Sequence, residues 1–144
     1  MDTKQINVLV LCTGNSCRSQ MAEGYLRHYA QGRFNVYSAG VETHGLNAKA
    51  VACMLQDGID IAHHTSNLID DYQDIDFDVV LSVCDHAAER CPVFPSKAKR
   101  YHHNFKDPSK CIGTQAEIEQ AFIETRNDIK SYCKALTEEI LKVE

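Results

Sequence analysis

The residues best suited to covalent chemistry stand together near the start of the chain, in Cys12-Thr13-Gly14-Asn15-Ser16-Cys17-Arg18-Ser19. The spacing between Cys12 and Arg18 lets the backbone curl so that several N–H groups converge on one point. Gly14 is expected to take the positive φ that such a curl needs. From Ser19 onward a helix is expected, and its N-terminus adds about half a positive charge. A thiolate and a tetrahedral oxyanion are both stabilised in that field, so Cys12 reads as a nucleophile held ready as thiolate. Arg18 offers a planar fork to two oxyanion oxygens. The Ser19 hydroxyl can donate to the Cys12 sulfur and help it leave. Thr13 to Arg18 then form the substrate-binding bowl. An isolated cysteine at a strand end is more often a small core residue. Its company here favours the nucleophile.

Two further groups could join that site. Asp107-Pro108 presents a carboxyl on a loop stiffened by proline, where it could protonate a leaving oxygen, although such a pair also serves to cap turns. Cys84 and Cys91-Pro92 form a second thiol pair. One or two helical turns between them would hold the sulfurs roughly 10 Å apart at ~1.5 Å per residue. A disulfide needs Cα atoms within about 7 Å, so the segment would have to unwind or loop out on oxidation. This makes the pair a candidate redox switch, with two unrelated core thiols as the alternative. The gaps between the cysteines fit poorly with the tight pairs of zinc sites. Cys111 is an extra thiol near Asp107, either a bystander or an alternative thiol for the site. His63, His64, His86, His102 and His103 lack metal-ligand spacing and are given no role.

These groups need a scaffold that brings them to one edge. Residues 6–11 are an apolar, β-branched run that suits a strand buried on both faces. Residues 19–30 carry a helical stripe through Met21, Ala22, Tyr25, Leu26 and Tyr29, with Gly32 as its stop signal. Residues 34–39 read as a second strand and residues 47–56 as a second helix ended by Gly58. Residues 77–83 are the clearest buried strand, and residues 99–105 a weaker one. Residues 115–141 form a long amphipathic helix through Ile118, Phe122, Ile129, Tyr132, Leu136 and Ile140. Such alternation predicts a single α/β domain with a parallel sheet, helices on both faces and right-handed crossovers. Ligands in these sheets bind beyond the carboxyl ends of the strands. Cys12, Cys84 and the loop around Asp107 all follow strands and so can share one edge.

The whole-chain properties narrow the function classes. A length of 144 residues suits one core. The formal charge of −5 argues against a nucleic-acid surface. It leaves room for a small anion, which a local nest of N–H groups can bind inside an acidic protein. No apolar run reaches the roughly 20 residues of a membrane span. No export signal is apparent, so the protein is expected in the cytoplasm. The cysteine count, 7, is odd, and together with that location it points to reactive thiols rather than a disulfide framework.

Residues 8–24, Val8-Leu9-Val10-Leu11-Cys12-Thr13-Gly14-Asn15-Ser16-Cys17-Arg18-Ser19-Gln20-Met21-Ala22-Glu23-Gly24, resemble the signature of low-molecular-weight protein tyrosine phosphatases and of the arsenate reductases that share their fold. The similarity runs through Asp107 into the final helix. It implies one domain over residues 1–144, a three-layer sandwich with a central four-stranded parallel sheet flanked by helices. It also implies that Asp107 is the general acid. The phosphatases usually follow that aspartate and proline with aromatic residues. Ser109 and Lys110 stand there instead, which argues against a phosphotyrosine pocket.

The spacing of Cys84 and Cys91-Pro92 resembles the thioredoxin-coupled arsenate reductases. That resemblance implies a relay. Cys12 attacks arsenate, Cys84 attacks Cys12 as arsenite leaves, and a Cys12–Cys84 disulfide forms. Cys91 then attacks Cys84, and thioredoxin reduces the resulting Cys84–Cys91 disulfide. Reducing As(V) to As(III) takes two electrons, which a lone cysteine performing phosphoryl-type transfer does not supply. No tightly bound cofactor is implied. Members often bind potassium through an Asn, a Glu, a Ser and an Asp. Asn15, Glu23 and Ser38 match, but Asn67 replaces the carboxylate, so a cation is expected to bind weakly or not at all. The family also commonly carries a Trp before the general-acid loop, and this chain has none. The alternatives are a phosphatase working through a Cys12 phosphocysteine and a non-enzymatic thiol sensor. A monomer is the expected state.

Overall fold

The computed structural model describes residues 5–84, 94 and 96–143. Four strands form one parallel sheet: β1 (Ile6–Cys12), β2 (Phe34–Gly40), β3 (Val79–Ser82) and β4 (Lys99–His102), in the order β2-β1-β3-β4. Among the described residues three α-helices accompany them: α1 (Arg18–Ala30), α2 (Ala48–Gln56) and α3 (Gln115–Val143). The chain leaves β1 toward β2 on one side and later returns to place β3 on its other side. The strand order therefore reverses at β1 and β3, and a crevice opens beyond their carboxyl ends.

The period-2 alternation of β1 explains its continuous apolar run. Val8, Val10 and Cys12 enter one buried cluster with residues of all three helices, including Met21, Tyr25, Met54, Phe122 and Ile129. Leu9 and Leu11 enter a second cluster on the opposite face with Ala39, Phe77, Val80 and Phe94. Among the described residues that second face is further covered by Tyr37 and by Ile69 and Tyr72, which belong to the 3-10 turn Ile69–Tyr72.

The local boundaries have local causes. Gln31, at φ 48°, caps α1 in the left-handed region, ahead of Gly32 at φ 86°. Asn47 is not helical but caps α2, its side chain accepting from the N–H groups of Lys49 and Ala50. The third and fourth strands are shorter than the expected 77–83 and 99–105. Phe77 and Val83 are buried, as a strand reading requires, but the ladder between β1 and β3 pairs only Val8 to Leu11 with Val79 to Ser82. β4 follows β3 as the edge strand and ends with it at Ser82 and His102. Beyond β4, Phe105 is buried in the first cluster.

Candidate functional site

The loop after β1 is a bowl built from the outside. Four successive carbonyls accept hydrogen bonds from surrounding elements. Thr13 O accepts from Glu42 N at 3.1 Å, Gly14 O from His44 N at 3.1 Å and Ser16 O from Asn47 N at 3.0 Å. Asn15 O accepts from Gln20 Nε2 at 3.0 Å. In a trans peptide the N–H points opposite to the C=O. The N–H groups of Gly14, Asn15, Ser16 and Cys17 are thereby turned toward the bowl's interior, where they form an anion nest. The positive end of α1, which begins at Arg18, adds to the same field.

The positive φ in this loop belongs to Asn15, at φ 48°, and not to Gly14. Asparagine tolerates the left-handed region because its short side chain bonds locally. Here its Nδ2 donates to Ser19 Oγ at 2.8 Å and its Oδ1 accepts from Asn67 N at 2.7 Å. The expected reason for Gly14 is therefore corrected. Its missing side chain makes room for the His44 ring, since a Cβ there would lie 2.6 Å from His44 Nδ1. Gly40 meets a similar limit, because a Cβ would collide with the carbonyl oxygen of Thr13. Ser19 is buried, and its oxygen is engaged by Asn15, which leaves its O–H available as a donor.

A cavity of about 300 Å³ opens over the bowl. Cys12, Arg18 and Asp107 all line it, so the nucleophile, the anion fork and the carboxyl group predicted from the sequence meet in one place. Arg18 is buried and is held by its donation from Nη1 to Phe105 O at 3.1 Å. Its Nη2 lies 3.6 Å from Asp107 Oδ2. Asp107 also caps the 3-10 turn Pro108–Lys110: its Oδ1 accepts from Ser109 N at 3.0 Å and from Ser109 Oγ at 2.6 Å. The two readings of this aspartate are thus compatible, with one oxygen anchoring the turn and the other facing Arg18. Thr125 of α3 steadies the loop through its hydroxyl, which donates to Lys106 O. Cys111 closes the turn through its backbone N–H.

Two thiols share the bowl, and their surroundings separate them. Burial, followed by the charges of Asp107 and Cys12, pushes the Cys17 thiol well above its ordinary range. Cys17 is thereby kept as a neutral lining group. The sheet also brings the second redox candidate close. Leu11 pairs with Ser82, and Val83 N donates to Leu11 O at 3.0 Å. Cys84 therefore leaves β3 one residue beyond the level of Cys12, on a strand about 4.8 Å away. Cys84 is fully buried and disulfide-bonded, whereas Cys12, Cys17, Cys53, Cys111 and Cys133 are free. Cys91 and the expected helical turns before it lie outside the described residues.

A second cavity, of about 160 Å³, is lined by Glu23, Ser38 and Asn67. These residues do not fit a potassium ion. Glu23 Oε1 accepts from Ser38 Oγ at 2.6 Å, and its Oε2 pairs with Arg27 Nη2 at 2.8 Å and Nε at 2.9 Å. His64 Nε2 lies 3.7 Å from the same oxygen. A guanidinium thus already matches the carboxylate's charge, and the amide oxygen of Asn15 is taken by Asn67 N. Among the described residues no group of three His, Cys, Asp or Glu side chains could hold a metal ion.

Sequence reasoning missed Glu42, His44 and Gln20. Glu42 and His44 lie on the loop after β2, at the same sheet edge as the bowl, and both line its cavity. The rule that loops following parallel strands share the ligand crevice could have found them. Gln20 is fully buried and ties Asn15 O to Thr65 O and to His64. Its only signal was a polar residue within an otherwise apolar helix face.

Comparison with known proteins agrees with this geometry. The family described as low molecular weight phosphotyrosine protein phosphatase matches residues 7–144. The chain is 45% identical over 131 residues to an arsenate reductase of Bacillus licheniformis, covering 91% of this chain and 94% of that protein. It is 47% identical over 133 residues to an arsenate reductase of Shouchella clausii, with the same coverage. A solved structure described as an arsenate reductase in the phosphate binding state superposes with a TM-score of 0.79 at 30% identity, covering 94% of this chain and 99% of that one. Among the described residues no helix is long and apolar enough to cross a membrane.

Proposed function

The chain belongs to the low molecular weight phosphotyrosine protein phosphatase family, and within it we propose that this protein is a thioredoxin-coupled arsenate reductase serving arsenic detoxification in the cytoplasm. The observation that carries the reading is that Cys84 follows β3 by two residues and so leaves the sheet next to Cys12, which ends the neighbouring β1. A phosphatase of this fold needs only the bowl, Arg18 and a proton donor. A reductase also needs a second thiol that can reach the first.

The steps follow from the site. The bowl's N–H groups and Arg18 hold arsenate as they would phosphate. Cys12 attacks arsenic, and one oxygen leaves as water with help from Asp107. Ser19 stabilises the Cys12 sulfur as it departs. Cys84 then attacks that sulfur, two electrons pass to arsenic, and arsenite is released. The Cys12–Cys84 disulfide is exchanged by Cys91 for Cys84–Cys91, which thioredoxin reduces. The protein acts as a monomer, with no tightly bound cofactor and no potassium, because Arg27 supplies the charge beside Glu23.

The test is arsenite formation from arsenate with thioredoxin, thioredoxin reductase and NADPH. Cys84→Ser is expected to abolish turnover while keeping Cys12-dependent hydrolysis of an aryl phosphate. Multiple-turnover reduction by that variant would refute the relay. The family match also supports a second reading, hydrolysis of phosphomonoesters. The ratio of the two activities in the wild type separates them, and efficient phosphotyrosine turnover without arsenate reduction would favour it.

A further inference from the structure

Arsenate reduction draws more protons than Cys12, Cys84 and Asp107 can supply. Arsenate as the dianion is reduced according to HAsO4(2−) + 2 RSH + 2 H⁺ → As(OH)3 + RSSR + H2O. Two electrons move from the thiols to arsenic, and four protons arrive on its oxygens. The two thiols supply two of these protons, and the other two must come from elsewhere. Hydrolysis of a phosphomonoester dianion takes up no net proton, so one group that gives a proton and later takes one back suffices there. Asp107 can fill that single role. Reduction draws a second proton as well.

We propose that His44, oriented by Glu42, is the second proton-transfer residue of this site. The inference rests on the reductase reading above. His44 N is bonded to Gly14 O, and its ring lies against Gly14, where a side chain would strike Nδ1. Its other nitrogen, Nε2, is 2.7 Å from Glu42 Oε2. A carboxylate only accepts, so Nε2 carries hydrogen toward Glu42, and Nδ1 is the nitrogen left on the side of the bowl. Once water loads a second proton onto Nδ1, the imidazolium can give that proton to an arsenic-bound oxygen and return to the tautomer that Glu42 holds. Glu42 N is itself fixed by Thr13 O, so both members of the pair are bolted to the bowl.

The surroundings suit the role. His44 and Glu42 line the same cavity as Cys12, Arg18 and Asp107. They occupy the wall supplied by the loop after β2, whereas Asp107 and Lys110 occupy the wall supplied by the loop after β4. The charged or titratable groups facing His44 are thus Glu42 on its own loop and Cys12, Cys17, Arg18, Asp107 and Lys110 across the cavity. The His44 side chain is 56% exposed, so water can reload it after each transfer.

The experiment is a single turnover of the pre-reduced full-length protein with arsenate, reading arsenite released, beside steady-state hydrolysis of p-nitrophenyl phosphate by the same preparation. His44→Gln and His44→Asn are each expected to slow arsenite release about a hundredfold, within the usual contribution of a proton-transfer group. Aryl phosphate hydrolysis draws no second proton, so its loss should be at least about tenfold smaller than that of arsenite release, and that ratio separates the role from a general defect of the bowl. Glu42→Gln should alter the pH profile and the solvent isotope effect of arsenite release and leave those of aryl phosphate hydrolysis in place. Equal losses in both reactions would reduce the pair to a structural brace and overturn the inference. Arsenite release unchanged in both His44 variants would overturn it as well. No arsenite from the wild type would instead remove the reductase reading, and this inference with it.

Discussion

The bowl is held open from behind, and Gln20→Met tests that support. Gln20 lies on α1, is fully buried and makes three hydrogen bonds: Nε2 to Asn15 O and to Thr65 O, both at 3.0 Å, and Oε1 with His64 Nδ1 at 3.1 Å. Methionine keeps the length and helix preference of the side chain while deleting all three bonds. Thr65 is exposed, so its carbonyl finds water again. Asn15 O and the His64 ring nitrogen are buried and do not. Each buried orphan costs about 1–3 kcal/mol, so the substitution should destabilise the fold by ~4 kcal/mol. At about 3 °C per kcal/mol for a chain of this length, the melting temperature should fall by ~12 °C. Asn15 also carries the left-handed residue of the bowl, and freeing its carbonyl should let that peptide rotate. Phosphate affinity, measured by calorimetry below the melting transition, is expected to fall about tenfold, or 1.4 kcal/mol. A melting temperature within ~3 °C of wild type, with unchanged phosphate affinity, would refute the claim that this side chain shapes the bowl.

Two further outcomes follow from titrating groups. Burial raises the thiols of Cys17 and Cys133, so a thiol-directed alkylating agent near pH 7, mapped by mass spectrometry, should leave both unmodified until the protein is unfolded. Modification of Cys17 at the rate of an exposed thiol would contradict its role as a neutral lining group. Burial holds His64 below the ordinary imidazole value of about 6.5, so the unfolded chain takes up a proton before the folded one does. Stability should be full above that value and fall as the pH drops below it, and urea midpoints of His64→Asn should show a smaller loss between pH 7 and pH 5 than those of the wild type.

What could be read from the sequence was mostly local. Cys12, Arg18 and Ser19 stand out by their spacing along a few residues, and the strand before them is marked by its apolar run. The parallel sheet followed from alternation, and with it the shared edge that carries Cys12, Cys84 and Asp107. The failures came from contacts that spacing does not encode. Gly14 suggests a backbone reason in the sequence because its neighbour at the site, His44, is 30 residues away in the chain. Glu42 and His44 belong to a loop with no motif of its own, and only the strand order brings it over the bowl. The strand limits at Val79 and His102 were set by the number of partners the ladder offers, not by the apolar residues that continue past them.

The cation site is the case where a local pattern was present and outweighed. Glu23 and Arg27 are separated by one helical turn, the spacing at which an acidic residue and a following basic one pair on a helix surface. The consequence is electrostatic: a carboxylate behind the bowl must be neutralised, or its field would work against the anion in front. The guanidinium does this permanently, with a covalent tether in place of a dissociable ion. Ionic strength should still screen the exposed half of that pair, but the choice of monovalent cation should not alter catalysis, because the charge beside Glu23 belongs to the chain itself.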